Sequence, residues 1–384
     1  MKWRVTWAVL LLACVRPAAG GESAPLSAPA DPYRAQRAQM TRNALEFLAH
    51  SANADGSFGS SCRRHQTGLV LLAFLSAGHR PGEGQYGDML TGAYRWLLGS
   101  QAVTGFAGDK ELPTESHAVA GLAFAELIGM GVTPEDDRKL YAAASAALGQ
   151  TLETQDKAYG GRYNGGWKAE PRAKLNDRKA SAWQLAFIRA MGYCGTNVSR
   201  GSVLRGVEFM KGSFKPEGEG FNKHDVGGFS YDAEGLPVRS ISAAGFYCME
   251  LFGQPARERA LAAGWLAANP PIWSGPHFYD SEFFGVRALR LRRYSDGSEE
   301  AARRFEQYFR KVTDILRDQQ LPDGSFGVPP GNAEYTKEMG ATYATPMAVL
   351  ILNCDRGLLP IDVVAEVAEP RVEKRSDSEE TKQK

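Results

Sequence analysis

Six stretches of this chain are apolar almost without interruption: His65 to Ala77, Ser116 to Leu127, Asp177 to Met191, Ser240 to Leu251, Asp280 to Leu291 and Ala341 to Leu352. Each is long enough for a helix and apolar nearly all round, the pattern of a helix buried on most sides. Before each lies a mixed stretch with an apolar stripe, such as Tyr33–His50 with Leu45, Phe47 and Leu48, or the helix that starts near Pro134. Glycine-rich turns join the two kinds. The clearest turn is Gln319-Gln320-Leu321-Pro322-Asp323-Gly324-Ser325-Phe326-Gly327, and Asn53-Ala54-Asp55-Gly56-Ser57-Phe58-Gly59 nearly repeats it. In such turns Gly tolerates positive φ and Asp bonds the backbone ahead of it. The repeating unit is therefore outer helix, glycine turn, loop, inner helix.

The pattern predicts twelve alternating helices, six outer and six inner. An open solenoid needs polar caps at its two ends. Here the first and last inner helices, Leu69–Leu75 and Met347–Leu352, are as apolar as the middle ones, so they are expected to cover each other. The fold class is all-α, an α/α6 toroid over residues 33–360. Loops vary most between turn and inner helix, which places the elaborations, and the expected binding face, at one end of the ring.

The ends of the chain read differently. Residues 1–20 have a basic start (Lys2, Arg4), an apolar run and a small-residue site at Ala18-Ala19-Gly20, the layout of a secretory signal peptide. Leu11-Leu12-Ala13-Cys14 also matches a lipobox, so export to the periplasm or outside has a membrane-anchored lipoprotein as its alternative. Acylation of Cys14 would be the one membrane contact. Residues 21–32 are expected to be a disordered linker and 361–384 a charged, disordered tail. Basic and acidic residues nearly balance, 45 against 44, and no basic stripe suggests nucleic acid. Cys62, Cys194, Cys248 and Cys354 share no metal-binding spacing.

Gln320-x-x-x-Gly324-x-Phe326, Gln101-x-x-x-Gly105 and Asp55-Gly56-Ser57-Phe58 resemble the Gln…Gly-x-Trp signature of the prenyltransferase/squalene oxidase repeat superfamily, which holds terpenoid cyclases and protein prenyltransferases. The resemblance spans nearly the whole ring and implies an exported bacterial member. In that family the Gln caps a helix and the aromatic packs between layers. The cyclases' Asp-x-Asp-Asp acid is matched only by Asp280, without its flanking acids. The prenyltransferases' zinc ligands are not matched, since Asp280 stands where the histidine should be and Arg239-Ser240-Ile241-Ser242 lacks the Asp-x-Cys pair. No metal and no cofactor is expected.

Asp280 is read either as an acid or as the N-cap of its inner helix, with the cap favoured; Asp177 is read as an N-cap. Glu115 or Asp177 could pair with Asp280 across the ring. His117 and His65 sit at the starts of inner helices, where they are catalytic or ligand-binding candidates. Trp183, Tyr247, Tyr279 and Tyr343 could form an aromatic lining, and Arg239 or Arg178 could hold an anion. Three functions fit: a binding or scaffold module lacking the family's catalytic motifs, a divergent terpenoid cyclase of the squalene type, or a carbohydrate-active lyase or hydrolase. The partner would be an apolar small molecule, a glycan or a protein, in the central cavity or at the loop-rich end.

Overall fold

The computed structural model describes residues 32–158, 163–218, 222–232, 234–331 and 334–362. The expected leader with Cys14, the linker over 21–31, the tail from 363, and Tyr159 to Arg162 of the third turn lie outside the described residues. The first half of the chain runs α1 (Pro32–His50), α2 (Arg63–Ser76), α3 (Gly87–Ser100), α4 (Pro113–Leu127), α5 (Pro134–Thr154) and α6 (Arg178–Tyr193). The second half runs α7 (Arg200–Lys211), α8 (Arg239–Leu251), α9 (Ala256–Ala268), α10 (Phe278–Asp296) and α11 (Glu299–Gln319). A short α12 (Glu334–Met339) and then α13 (Ala341–Leu352) complete it. Among the described residues there are no β-strands, only isolated bridges within the turns. No helix among them is long and apolar enough to cross a membrane.

The inner helices α2, α4, α6, α8, α10 and α13 pack each on the next, and α13 packs back on α2. The outer helices cover them from outside: α3 on α2, α5 on α4, α7 on α6, α9 on α8 and α11 on α10. The first outer helix, α1, covers the last inner one, α13. The chain is thus an α/α toroid, as its hydrophobic pattern predicts. Local chemistry starts several helices: the side chains of Asp177, Thr133 and Ser298 accept from the N–H of Ala180, Asp136 and Ala301. Pro134 occupies the first turn of α5, where a missing N–H costs nothing.

One joint recurs around the ring. A glycine at positive φ brings the turn against the backbone of the following outer helix. At Gly324 (φ +87°) a Cβ would collide with the carbonyl of Asn43 on α1, so only glycine fits. The same approach occurs at Gly56, Gly105, Gly165 and Gly227, each onto the next outer helix in order. Gln320 Nε2 donates to Gly324 O at 3.0 Å and to Met40 O at 2.8 Å, tying turn to neighbour. Gln101 and Gln155 make the corresponding pairs, to Gly105 and Ala143, and to Gly165 and Ser202.

The inner helix grips the turn in return. Two residues after the glycine, the backbone N–H donates to a side chain in the first turns of the inner helix. Phe58 donates to Thr67, Trp167 to Ser181, Phe229 to Ser242 and Phe326 to Thr345, at 2.9 to 3.0 Å. In the second copy Ala107 donates instead to His117 Nδ1 at 3.1 Å. The fifth copy has no glycine joint. There Glu282 holds the place, accepting from Tyr308 at 2.7 Å and pairing with Arg239 at 3.0 Å.

The end of the ring remote from the loops is closed by the chain itself. Residues Leu359–Asp362 run beneath the inner helices, with Ile361 and Asp362 buried. The fold therefore continues past the expected edge of the tail at 361. The pull is specific: Glu126 accepts from the Ile361 N–H at 3.0 Å, and Arg287 pairs with Asp362 at 3.0 Å.

Candidate active site

Aligning the six copies on the side chain that grips the turn brings six residues into one layer. Two positions before Thr67, His117, Ser181, Ser242, Glu282 and Thr345 stand His65, Glu115, Lys179, Ser240, Asp280 and Tyr343. All six are buried, and they form the floor of the loop-rich mouth. Lys179 Nζ lies 3.0 Å from Glu115 and 3.6 Å from Asp280. The Tyr343 hydroxyl donates to Asp280 at 3.3 Å, and the His65 ring stacks on Tyr343 with centroids 6.1 Å apart. The floor is nearly shut off from water: the side chains of Lys179, Glu115 and Asp280 are 5 %, 8 % and 8 % exposed. Tyr231 stands at the rim, partly exposed and within electrostatic reach of all three.

The two carboxyls are pulled apart in proton affinity. Burial lifts Glu115 to about 7, and the charge of Asp280 adds to the rise, against the pull of Lys179. Burial acts on Asp280 in the same sense, but Lys179, His277 and His65 outweigh it and hold the carboxyl below its usual range. At neutral pH Asp280 is ionised while Glu115 is partly protonated. Burial lowers His65 to about 4, so its ring is neutral there, with Nδ1 lacking a partner among the described residues. His277, also lowered by burial, adopts φ +55° just before α10, as Cys62 (φ +42°) does at the same place before α2.

Several sequence-based expectations are corrected by this geometry. Asp280 is not an N-cap: it sits three residues into α10, after His277, and its partners are Lys179 and Tyr343. His117 has no free edge for chemistry, because Nδ1 grips Ala107 while Nε2 meets Ala147 O and Thr151 Oγ1, both at 3.2 Å. It does the work that Thr or Ser does elsewhere. Trp183, Tyr247 and Tyr279 line no open cavity. Trp183 packs on Phe283 and Phe284 at 4.6 and 5.0 Å, filling the ring's axis just below the polar floor. Tyr247 is fully buried against Phe284, and Tyr279 donates to Gly327 O at 2.8 Å. Arg239 is held by Glu282, Tyr308 and Asn269 O, and Arg178 by the carbonyls of Ser230 and Phe209, so neither is offered to an anion.

Lys179, the residue that joins the site, is absent from the sequence-based candidates. Its signal was the register: a lysine two residues before Ser181, in the column that holds Glu115 and Asp280. Among the described residues no three His, Cys, Asp or Glu side chains converge as a metal site would need. What the floor offers is acid–base chemistry: one carboxyl able to give a proton near neutral pH and one ionised carboxylate beside it.

No family model matches the chain, and no curated protein matches its sequence. Solved structures share its fold at low identity. An inactive variant of the alpha-1,6-mannanase GH76A of Salegentibacter sp. HEL1_6, in complex with alpha-1,6-mannotriose, matches with a TM-score of 0.59 and 10% identity. That match covers 83% of this chain and 98% of that one. The type II terpene cyclase MstE from Scytonema matches with a TM-score of 0.51 and 13% identity, covering 85% and 100%. What these two similarities establish is the α/α toroid.

Proposed function

We propose that the mouth of the ring is a glycan-processing site in which Glu115 is the acid and Asp280 the carboxylate partner, acting on an uncharged polysaccharide. The observation that carries this reading is the layer itself. Two carboxyls on facing inner helices share one ammonium, and their surroundings separate their proton affinities in the way glycoside hydrolysis requires. Two acids, Glu115 and Asp280, flank one lysine, so the acids of the floor outnumber its cation, which disfavours uronates and diphosphates. The axis below the floor is packed with Trp183, Phe283 and Phe284, which counts against a long isoprenoid lying there. The mannanase that shares the fold binds an uncharged oligosaccharide, which supports the same substrate class.

Binding without turnover is the second reading, and one observation favours it. Lys179 Nζ occupies the space between the carboxyls where a reacting atom would have to sit. Membership of the terpenoid cyclase and prenyltransferase repeat superfamily, and export through the leader, belong to the same proposal: an exported ring meets glycans rather than cytosolic isoprenoid diphosphates.

Incubation with alpha-1,6-mannan and a panel of other neutral polysaccharides, read as new reducing ends, tests the first reading. Wild type should release them, and Glu115→Gln and Asp280→Asn should each lose at least ~100-fold in rate. Retention on immobilised polysaccharide without release would move the assignment to binding alone. Neither release nor retention would end the glycan reading.

A further inference from the structure

The second copy departs from the repeat in two linked ways. The aromatic expected two residues after the glycine is Ala107, and the aromatic stands one place earlier, as Phe106. The hydroxyl that grips the turn is replaced by His117, whose ring stacks on Phe106 at 5.3 Å and 15°. Gly108 keeps the glycine found at the same place as Gly59 and Gly327, and here a Cβ would run into the displaced Phe106 ring. In the other glycine joints the turn aromatics Phe58, Trp167, Phe229 and Phe326 are buried at 0–1 % exposure. Phe106 alone is turned outward and half-buried.

Beside Phe106, between the second and third copies, is a cavity of about 300 Å³. Pro113 and Pro171 continue its apolar wall, while Thr114, Thr154, Lys168 and Glu170 supply hydroxyl, ammonium and carboxylate groups. We propose that this cavity is a second carbohydrate site, holding one sugar ring stacked on Phe106. A flat aromatic face takes the C–H face of a pyranose, and the polar groups around it take the hydroxyl edge. The volume is at the small end for ligand cavities, which suits one ring and excludes a lipid chain or a folded peptide. Thr114 and Glu115 are consecutive in α4, so wall and mouth acid are separated by about 100° of helix turn. The cavity is placed to grip a flanking unit of the glycan that the mouth acts on. The choice of ligand class rests on the glycan reading of the mouth, whereas the rearranged joint stands independently.

Calorimetric titration with alpha-1,6-mannotetraose, cellotetraose, maltotetraose and chitotetraose tests it. At least one should bind wild type, and its affinity should fall at least ~10-fold both in Phe106→Ala and in Thr154→Trp, which fills the cavity from its exposed rim. Thr154→Trp changes no core residue and decides the matter if Phe106→Ala fails to fold. Folded cavity variants that bind as wild type overturn the proposal, as does a wild type that binds none of the four. Loss of turnover in Asp280→Asn, with both cavity variants binding as wild type, would leave the mouth reading standing and remove only the cavity.

Discussion

Two of the ring's buried ionic clusters stand at opposite ends of its axis, each two carboxyls with one cation. At the mouth, Glu115 and Asp280 flank Lys179; at the far end, Asp362 pairs with Arg287 and Glu126 lies within electrostatic reach of both. The far cluster is sealed by backbone. Ile361 N–H binds Glu126, Leu350 O accepts from Arg287 at 3.2 Å, and Arg290 donates to the carbonyl of Asp362. The mouth cluster is joined through side chains, Lys179 to Glu115 and Asp280 and Tyr343 to Asp280, and above it stand the partly exposed Tyr231 and His277. Charge burial alone therefore does not mark a functional site. The difference lies in what covers the charges: the chain's own strap at one end, loops and solvent at the other.

The comparison breaks most readily at Arg287. Replacing it with Leu leaves Asp362 buried without its main counter-charge, and denaturant unfolding should show a loss of about 3–5 kcal/mol. A loss below about 1 kcal/mol would mean the strap is not held by charge. Next in size is the pH response of Glu115. Its folded pKa of about 7 lies above the ordinary 4.5, so the folded state holds this proton more tightly. The resulting stabilisation is present below pH 4.5 and is lost as pH rises through 7. Between pH 4.5 and pH 8 that amounts to about 3 kcal/mol, and Glu115→Gln should flatten the fall by a similar amount.

Lys179→Met should cost less than the far-end change, about 1–3 kcal/mol at pH 8, because Glu115 can take up a proton when its ammonium is removed. The cost should shrink at pH 5, and thermal melts at the two pH values check it. The smallest effect is expected for Tyr343→Phe, which removes one hydrogen bond to Asp280. It should lower stability by about 0.5–1.5 kcal/mol and raise the Asp280 pKa, readable by carbon NMR of the labelled carboxyl.

Much of the ring was legible in the sequence because it is local. Gly324 and Asp323 announce their turn, and six apolar runs announce six buried helices. Closure followed from the apolar character of the first and last of them. The site was legible only in pieces. Asp280 and Glu115 were candidates, yet Lys179 follows Asp177 and Arg178 and so has the look of a solvated helix start. His117 misleads for the opposite reason: a histidine at a helix start suggests chemistry, while its place in the repeat belongs to a hydroxyl. Periodicity places side chains on a helix, but only the joint fixes how one helix is set against the next. Aligning the copies on Thr67, Ser181, Ser242 and Thr345, rather than on their glycines, is what exposes the column of polar residues.

The joint between Gln320 and Met40 has the same bonds as the others, yet it closes a segment of a different length. The matching bond from Gln101 spans 42 residues, and that from Gln320 spans 280. Loop-closure entropy rises with the logarithm of length, so the same contact costs about 1.5–2 kcal/mol more to form at this seam. Folding should thus proceed through an open arc of stacked helix pairs, whose two faces, α1 and α13, search for each other last. During that search the apolar runs at both ends are bare, and two arcs could join each other's ends as readily as their own. The cyclic order of the helices then carries a kinetic hazard: at high concentration during refolding, the natural error of this fold is a double ring built from two chains.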